Sequence, residues 1–163
     1  MNDNFTWWIE ESFIGGMMSP IIDPLRRFQG QAQLNDFDDD LPQLYAQGIR
    51  SVVSLINAPG QEKVYESAGF QFLNCPIKNF HAPSLEQSLE LFKFINSAPK
   101  PLLVTCEGGL GKTGTVLAAW LISQGKTPQE AIETIRKAEP GAIESEEQFN
   151  FLITLPESLQ SKI

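Results

Sequence analysis

The chain has 163 residues and a formal charge of −8 at pH 7, from 20 Asp/Glu against 12 Lys/Arg, with 42% apolar and 20% charged residues. That length fits a single domain, 1–163, which buries a core without a disulfide or metal staple, and the acidity argues against nucleic acid or an anionic membrane as the partner. Two cysteines, Cys75 and Cys106, and one histidine, His81, make neither a disulfide framework nor an ordinary zinc site, so the expectation is a cytoplasmic protein with no metal and no cofactor.

At the N-terminus, Met1–Glu11 carries Asp3, Glu10 and Glu11 but no Lys or Arg, unlike a signal peptide. No apolar run anywhere reaches the ~18 residues of a membrane span. Phe5–Ile9 and Phe13–Ile14 read as short strands ahead of Gly15-Gly16, and Asp23–Asn35 reads as loop. Asp38–Gln47 reads as a helix with Pro42 in its first turn and Gly48 as its stop. The run Asp36, Asp38, Asp39, Asp40 suits either a metal site or a solvated helix N-terminus, and the helix dipole favours the second.

Ser51–Ile56 is nearly continuous in apolar residues, as in a strand covered on both faces. Gln61–Ala68 is a short helix closed by Gly69, and Phe70–Ile77 is the next strand. Ser84 opens a helix with Gln87 at capping-box spacing, and its apolar face is Leu85, Leu89, Phe92 and Ile95. Leu102–Thr105 is another buried strand. After a glycine-rich turn, Thr113–Gln124 is a helix apolar around most of its girth, expected at the centre of the fold. Thr127-Pro128-Gln129-Glu130 and Ser145 with Gln148 repeat the capping-box spacing ahead of two more helices. The first has Ile132, Ile135 and Ala138 as its apolar positions, the second Phe149, Leu152 and Ile153. Strands alternate with helices early and helices cluster late, which predicts an α/β fold: a central, mainly parallel sheet flanked by helices.

The turn Cys106-Glu107-Gly108-Gly109-Leu110-Gly111-Lys112-Thr113 carries the chemistry. Its three glycines let successive backbone N–H groups turn inward as an anion nest, and the following helix adds its N-terminal dipole. Phosphate binding by Glu107, Gly108, Gly109, Leu110, Gly111 and Lys112 then needs no favourable net charge. Two loop types share this geometry. A nucleotide-binding loop, G-x-x-x-x-G-K-S/T, is satisfied at Gly111-Lys112-Thr113 but broken at its first glycine, which falls on Cys106. A nucleotide hydrolase also needs an Asp closing a later strand, and only helices follow Thr115. The other loop is C-x5-R-S/T, in which a cysteine thiolate inside the nest attacks phosphorus.

With Cys106, Gly108, Gly109, Gly111, Thr113 and Gly114 on that pattern, the chain resembles the small atypical dual-specificity phosphatases of the cysteine-dependent tyrosine phosphatase superfamily. The likeness extends to Asn4–Trp7 leading to Gly15, to Gly48–Leu55, to the loop after Ile77, and to Pro140–Glu144 through Gln148. It implies that Cys106 is a nucleophile forming a phosphocysteine. It implies that Thr113 donates its hydroxyl to the leaving thiolate and that Gln148 orients the hydrolytic water, a role that stands beside its cap position. The partner it implies is a phosphorylated protein or a small phosphomonoester.

Three positions depart from that pattern. Lys112 stands where the family has Arg, keeping the charge but losing a planar fork, and one lost preorganised donor costs ~10²–10³ in rate. Thr105 replaces a histidine before the cysteine. Asn79 stands where the family's Asp protonates the leaving oxygen, and an amide cannot do so, a further ~10²–10⁴. His81, two residues on, is either a solvated loop histidine or a substitute acid. The expectation is a phosphatase of reduced efficiency acting on phosphotyrosine and other phosphomonoesters. The alternatives are a pseudophosphatase that binds phosphorylated ligands and a nucleotide-binding protein.

Overall fold

The computed structural model describes residues 6–9, 13–20 and 40–161. The expectations for Asn4 and Phe5, for Asp23–Asn35 and for Asp36, Asp38 and Asp39 fall outside them. The strands are β1 (Thr6–Ile9), β2 (Ile14–Met18), β3 (Ser51–Ser54), β4 (Gln71–Asn74) and β5 (Leu102–Cys106). The helices are α1 (Asp40–Ala46), α2 (Gln61–Ser67), α3 (Leu85–Ser97), α4 (Gly111–Ser123), α5 (Pro128–Ala138) and α6 (Glu146–Gln160).

The sheet order is β1-β2-β5-β3-β4. β5 is central and parallel to both neighbours, pairing Thr105 with Met17 on one side and Ser54 on the other. β4 joins β3 in parallel, and only β1 runs antiparallel, against β2. Every residue of β3 and β5 is buried, as the uninterrupted runs SVVS and LLVTC require when both faces are covered. The fold is therefore the mixed α/β architecture expected, with a central, mainly parallel sheet flanked by helices. Among the described residues, no helix is long and apolar enough to cross a membrane.

α4 is the central helix. It packs against β2, β5, α3, α5 and α6, and all its residues but Trp120 and Ser123 are buried. It starts two residues earlier than expected, at Gly111, so Lys112 and Thr113 lie in its first turn. Gly15 and Gly16 do not end a strand, as the sequence suggested, but lie inside β2. The reason is packing. A Cβ on Gly15 would sit 2.2 Å from the Trp7 carbonyl oxygen, and one on Gly16 2.4 Å from the Trp7 indole.

Two helical faces also differ from expectation. On α3, Leu89 is exposed, while Ser88, Leu91, Phe92 and Ile95 are buried. On α6, Phe149 and Ile153 are exposed, and Gln148, Leu152 and Leu155 are buried. In both helices a polar side chain on the inner face displaces an apolar one outward. The capping boxes at Ser84 and Ser145 form in full. At Thr127 the side chain accepts from the Glu130 N–H, with Pro128 in the first turn.

Candidate active site

β5 delivers Cys106 to the carboxyl end of the sheet, where parallel α/β folds gather their ligands. The cysteine is 3% exposed, and its carbonyl accepts from the Ser19 N–H (2.8 Å) just past β2. The chain then turns through Glu107–Leu110 into α4. Gly109 has φ 73, and a Cβ there would lie 2.5 Å from the Met18 nitrogen, so this bend demands glycine twice over. Trp7 reaches across from β1 and donates its indole N–H to the Gly109 carbonyl (2.9 Å). Among the described residues no side chain caps α4, whose N-cap is Leu110, and the first backbone N–H groups of a helix have no partner within it.

A cavity of about 540 Å³ opens over this turn. Of the sequence-predicted residues, it brings together Cys106, the loop residues Glu107, Gly108, Leu110 and Gly111, and also Lys112, Asn79 and Gln148. Gly109, Thr113 and His81 do not line it. Gly109 turns its carbonyl to Trp7, and Thr113 is wholly buried, with its hydroxyl making no hydrogen bond among the described residues. His81 is half exposed and pairs through Nδ1 with Glu147 (2.9 Å).

Lys112 is the cation of the site and is 5% exposed. Its ammonium donates to the Ile77 carbonyl (2.9 Å) and lies 2.7 Å and 3.2 Å from the two Glu107 carboxylate oxygens. It thus ties the glycine loop to the start of the 78–82 loop. Gln148 is fully buried: Oε1 accepts from the Glu144 and Ser145 N–H groups, and Nε2 donates one of its two N–H groups to the His81 carbonyl. The helix-cap reading of Gln148 therefore describes its contacts, and it reaches the cavity wall from that position.

Thr105, just before the cysteine, is anchored by its own hydroxyl, which donates to the Val53 carbonyl (3.0 Å). The phenol of Tyr65, completely buried, lies beside Thr105 and Ser19. Burial pushes its pKa well up, and those two hydroxyls temper the rise. Cys75 is buried as well; burial first, then the Glu90 carboxylate, pushes its thiol up to about 11. That makes it inert packing near neutral pH.

Sequence reasoning missed several cavity residues. Trp7 lies in the expected Phe5–Ile9 strand, and its loop contact spans 102 positions, beyond any local pattern. Phe80 sits at φ 66, is exposed and lines the cavity, and no local pattern flags it. Glu139 and Glu144 also line it. Glu144 is brought there because Arg136 holds the Ala142 and Ile143 carbonyls (3.1 Å each) and Ile143 donates to the Leu110 carbonyl. The signal for Glu144 was its place in the Pro140–Glu144 segment.

Comparison with known proteins agrees with this geometry. The sequence model of the family described as "Polymorphic toxin system, DSP-PTPase phosphatase" matches residues 29–126. The tyrosine-protein phosphatase cdc-14 of Caenorhabditis elegans is 27% identical over 115 residues, which is 67% of this chain and 16% of that protein. The chain thus spans about a sixth of this relative's length. The crystal structure of Tk-PTP in its active form superposes with a TM-score of 0.73 at 28% identity, covering 98% of this chain and 99% of that one. Kinase-associated phosphatase, with its catalytic cysteine replaced by serine, shares the fold with a TM-score of 0.82 at 19% identity, covering 97% and 96%.

Proposed function

Because the chain belongs to the DSP-PTPase family of phosphatases, we propose that it hydrolyses phosphomonoesters through a phosphocysteine on Cys106. The observation that carries this reading is the cavity that the buried Cys106 shares with the glycine loop and the uncapped start of α4. Backbone N–H groups and the helix dipole there favour both a phosphate and a thiolate.

In the first step the Cys106 thiolate attacks phosphorus, an S–P bond forms and the bond from phosphorus to the leaving oxygen breaks. In the second step water attacks the phosphocysteine, and the thiolate leaves as inorganic phosphate forms. The Thr113 hydroxyl would serve the departing sulfur. Gln148, at the cavity wall, would face the attacking water. Asn79 lines the cavity as an amide, with no proton to give. The leaving oxygen therefore departs best when it is already a weak base. A phenolate has a conjugate acid pKa of ~10, far below an alkoxide, so aryl phosphates are the preferred substrates.

The test is turnover of p-nitrophenyl phosphate and of phosphoserine by the wild type and by Cys106→Ser. Expected are wild-type hydrolysis of the aryl ester, hydrolysis of the alkyl ester slower by about 10², and none of either by the variant. Equal silence of wild type and variant, with inorganic phosphate still bound, sinks the hydrolase reading. Equal rates on the two esters sink the argument from Asn79.

A further inference from the structure

The proposed site asks an anion to enter a cavity whose charged side chains, among the described residues, are mostly anionic. Among the described residues, Glu107, Glu139 and Glu144 line it against one cation, Lys112. That ammonium is already engaged, with Glu107 at 2.7 Å and the Ile77 carbonyl at 2.9 Å. Of its three N–H donors, about one is left for a ligand. Glu107 reaches Lys112 from within the phosphate loop itself, so a phosphoryl group held by the loop has a carboxylate as its neighbour. Glu144 presses on the other side of the loop: a Cβ on Gly111 would lie 2.4 Å from its Oε1. Glu139 accepts from the Gly141 N–H (3.1 Å) at the same rim. Like charges this close are costly, and their cost falls when a ligand brings opposite charges to meet them.

The rest of the cavity suits an aromatic phosphate on a chain. At about 540 Å³ it exceeds what a phosphate alone fills, and the apolar Trp7, Met18 and exposed Phe80 line it. Arginine is the natural counterpart of exposed carboxylates, because its planar fork matches them bidentately.

Resting on the phosphate-site reading above, we propose that the cavity selects phosphotyrosyl peptides in which Arg or Lys flanks the phosphorylated residue. Glu144 and Glu139 are the specificity-determining groups that receive the basic side chains. Glu107, by occupying Lys112, makes an unaccompanied phosphate dianion a poor ligand.

Binding to Cys106→Ser tests this without requiring turnover. Three fluorescent phosphotyrosyl peptides of equal length, flanked by Arg, Gln or Glu, are titrated by fluorescence polarisation at about 0.15 M ionic strength. The Arg-flanked peptide should bind at least about tenfold tighter than the Glu-flanked one, with the Gln-flanked one between. Glu144→Gln should narrow that ratio at least about threefold. Glu66→Gln, an exposed charge change on α2 outside the cavity, should leave it. Equal affinities, a reversed order or no phosphate-dependent binding overturns the inference. So does equal narrowing by Glu66→Gln, which would reduce the effect to net charge. Turnover without preference sinks the selectivity and spares the hydrolase reading, whereas preference without wild-type turnover does the opposite.

Discussion

Trp7 is one indole with two constraints on it. It fills the space over Gly16, and its N–H holds the carbonyl of Gly109 in the glycine loop. Trp7→Phe keeps most of the bulk and leaves that buried carbonyl unpaired, a loss of about 1–3 kcal/mol. The loop is also released from its register, so kcat/KM on p-nitrophenyl phosphate should fall about tenfold. Urea unfolding and steady-state kinetics on the same variant check both parts. Two other buried residues set the alkaline limit. The Cys75 thiol is pushed up to about 11, and the Tyr65 phenol is also raised by burial. In the unfolded chain they lose their protons earlier, near ~8.5 and ~10. Above about pH 8.5 the unfolded state therefore holds fewer protons than the native one, and stability falls as pH rises; well below that pH the contribution is complete. Tm should decline between pH 9 and 11, and less steeply in Cys75→Ala. Equal slopes would contradict the assignment.

At the scale of elements, the first turn of α6 works as a clamp on the 80–82 loop. Ser145 accepts from the Gln148 N–H and donates to the Phe80 carbonyl (2.6 Å), Gln148 holds the His81 carbonyl, and Glu147 accepts from the Ala82 N–H. Phe80, a bulky residue at φ 66, persists there because its surroundings hold it. Ser145→Ala removes the helix cap and the Phe80 contact together. It should cost about 1–2 kcal/mol in thermal or urea unfolding, and the displaced Asn79–Phe80 turn should raise KM for aryl phosphates. Ser145→Thr should restore most of both, since threonine can also cap. The capping box was legible because it is written within four residues. Its effect on packing was not: burying Gln148 turned Phe149 and Ile153 outward, and apolar spacing alone cannot register a buried polar cap.

At the scale of the whole molecule, the charge of −8 repels any anionic substrate before it reaches the loop. Salt screens that repulsion, so kcat/KM on p-nitrophenyl phosphate should rise about twofold between ~0.02 and ~0.2 M ionic strength. A fall over that range would mean that the cavity attracts dianions despite Glu107, Glu139 and Glu144. The sheet carries the rest of the design. β5, held between β2 and β3, brings one end of a wholly buried strand to the start of the central buried helix. Both flanking elements are buried, so the two ends of the loop are fixed by the core.

What the sequence determined by itself is what short-range rules govern. The apolar run Leu102–Thr105, the glycines of the loop, the apolar helix after it and the three cap residues each depend on neighbours a few positions away. Together they identified the α/β fold and pointed to the glycine loop that starts at Cys106. Only the tertiary structure decided what each side chain meets. Lys112 was legible as a cation, but its engagement by Glu107 and the Ile77 carbonyl depends on how α4 lies against the 78–82 loop. Trp7 became a loop anchor, Glu144 a cavity wall and His81 the partner of Glu147 for the same reason. Those contacts join residues tens of positions apart, and their geometry is set by the packing of whole elements rather than by any local pattern.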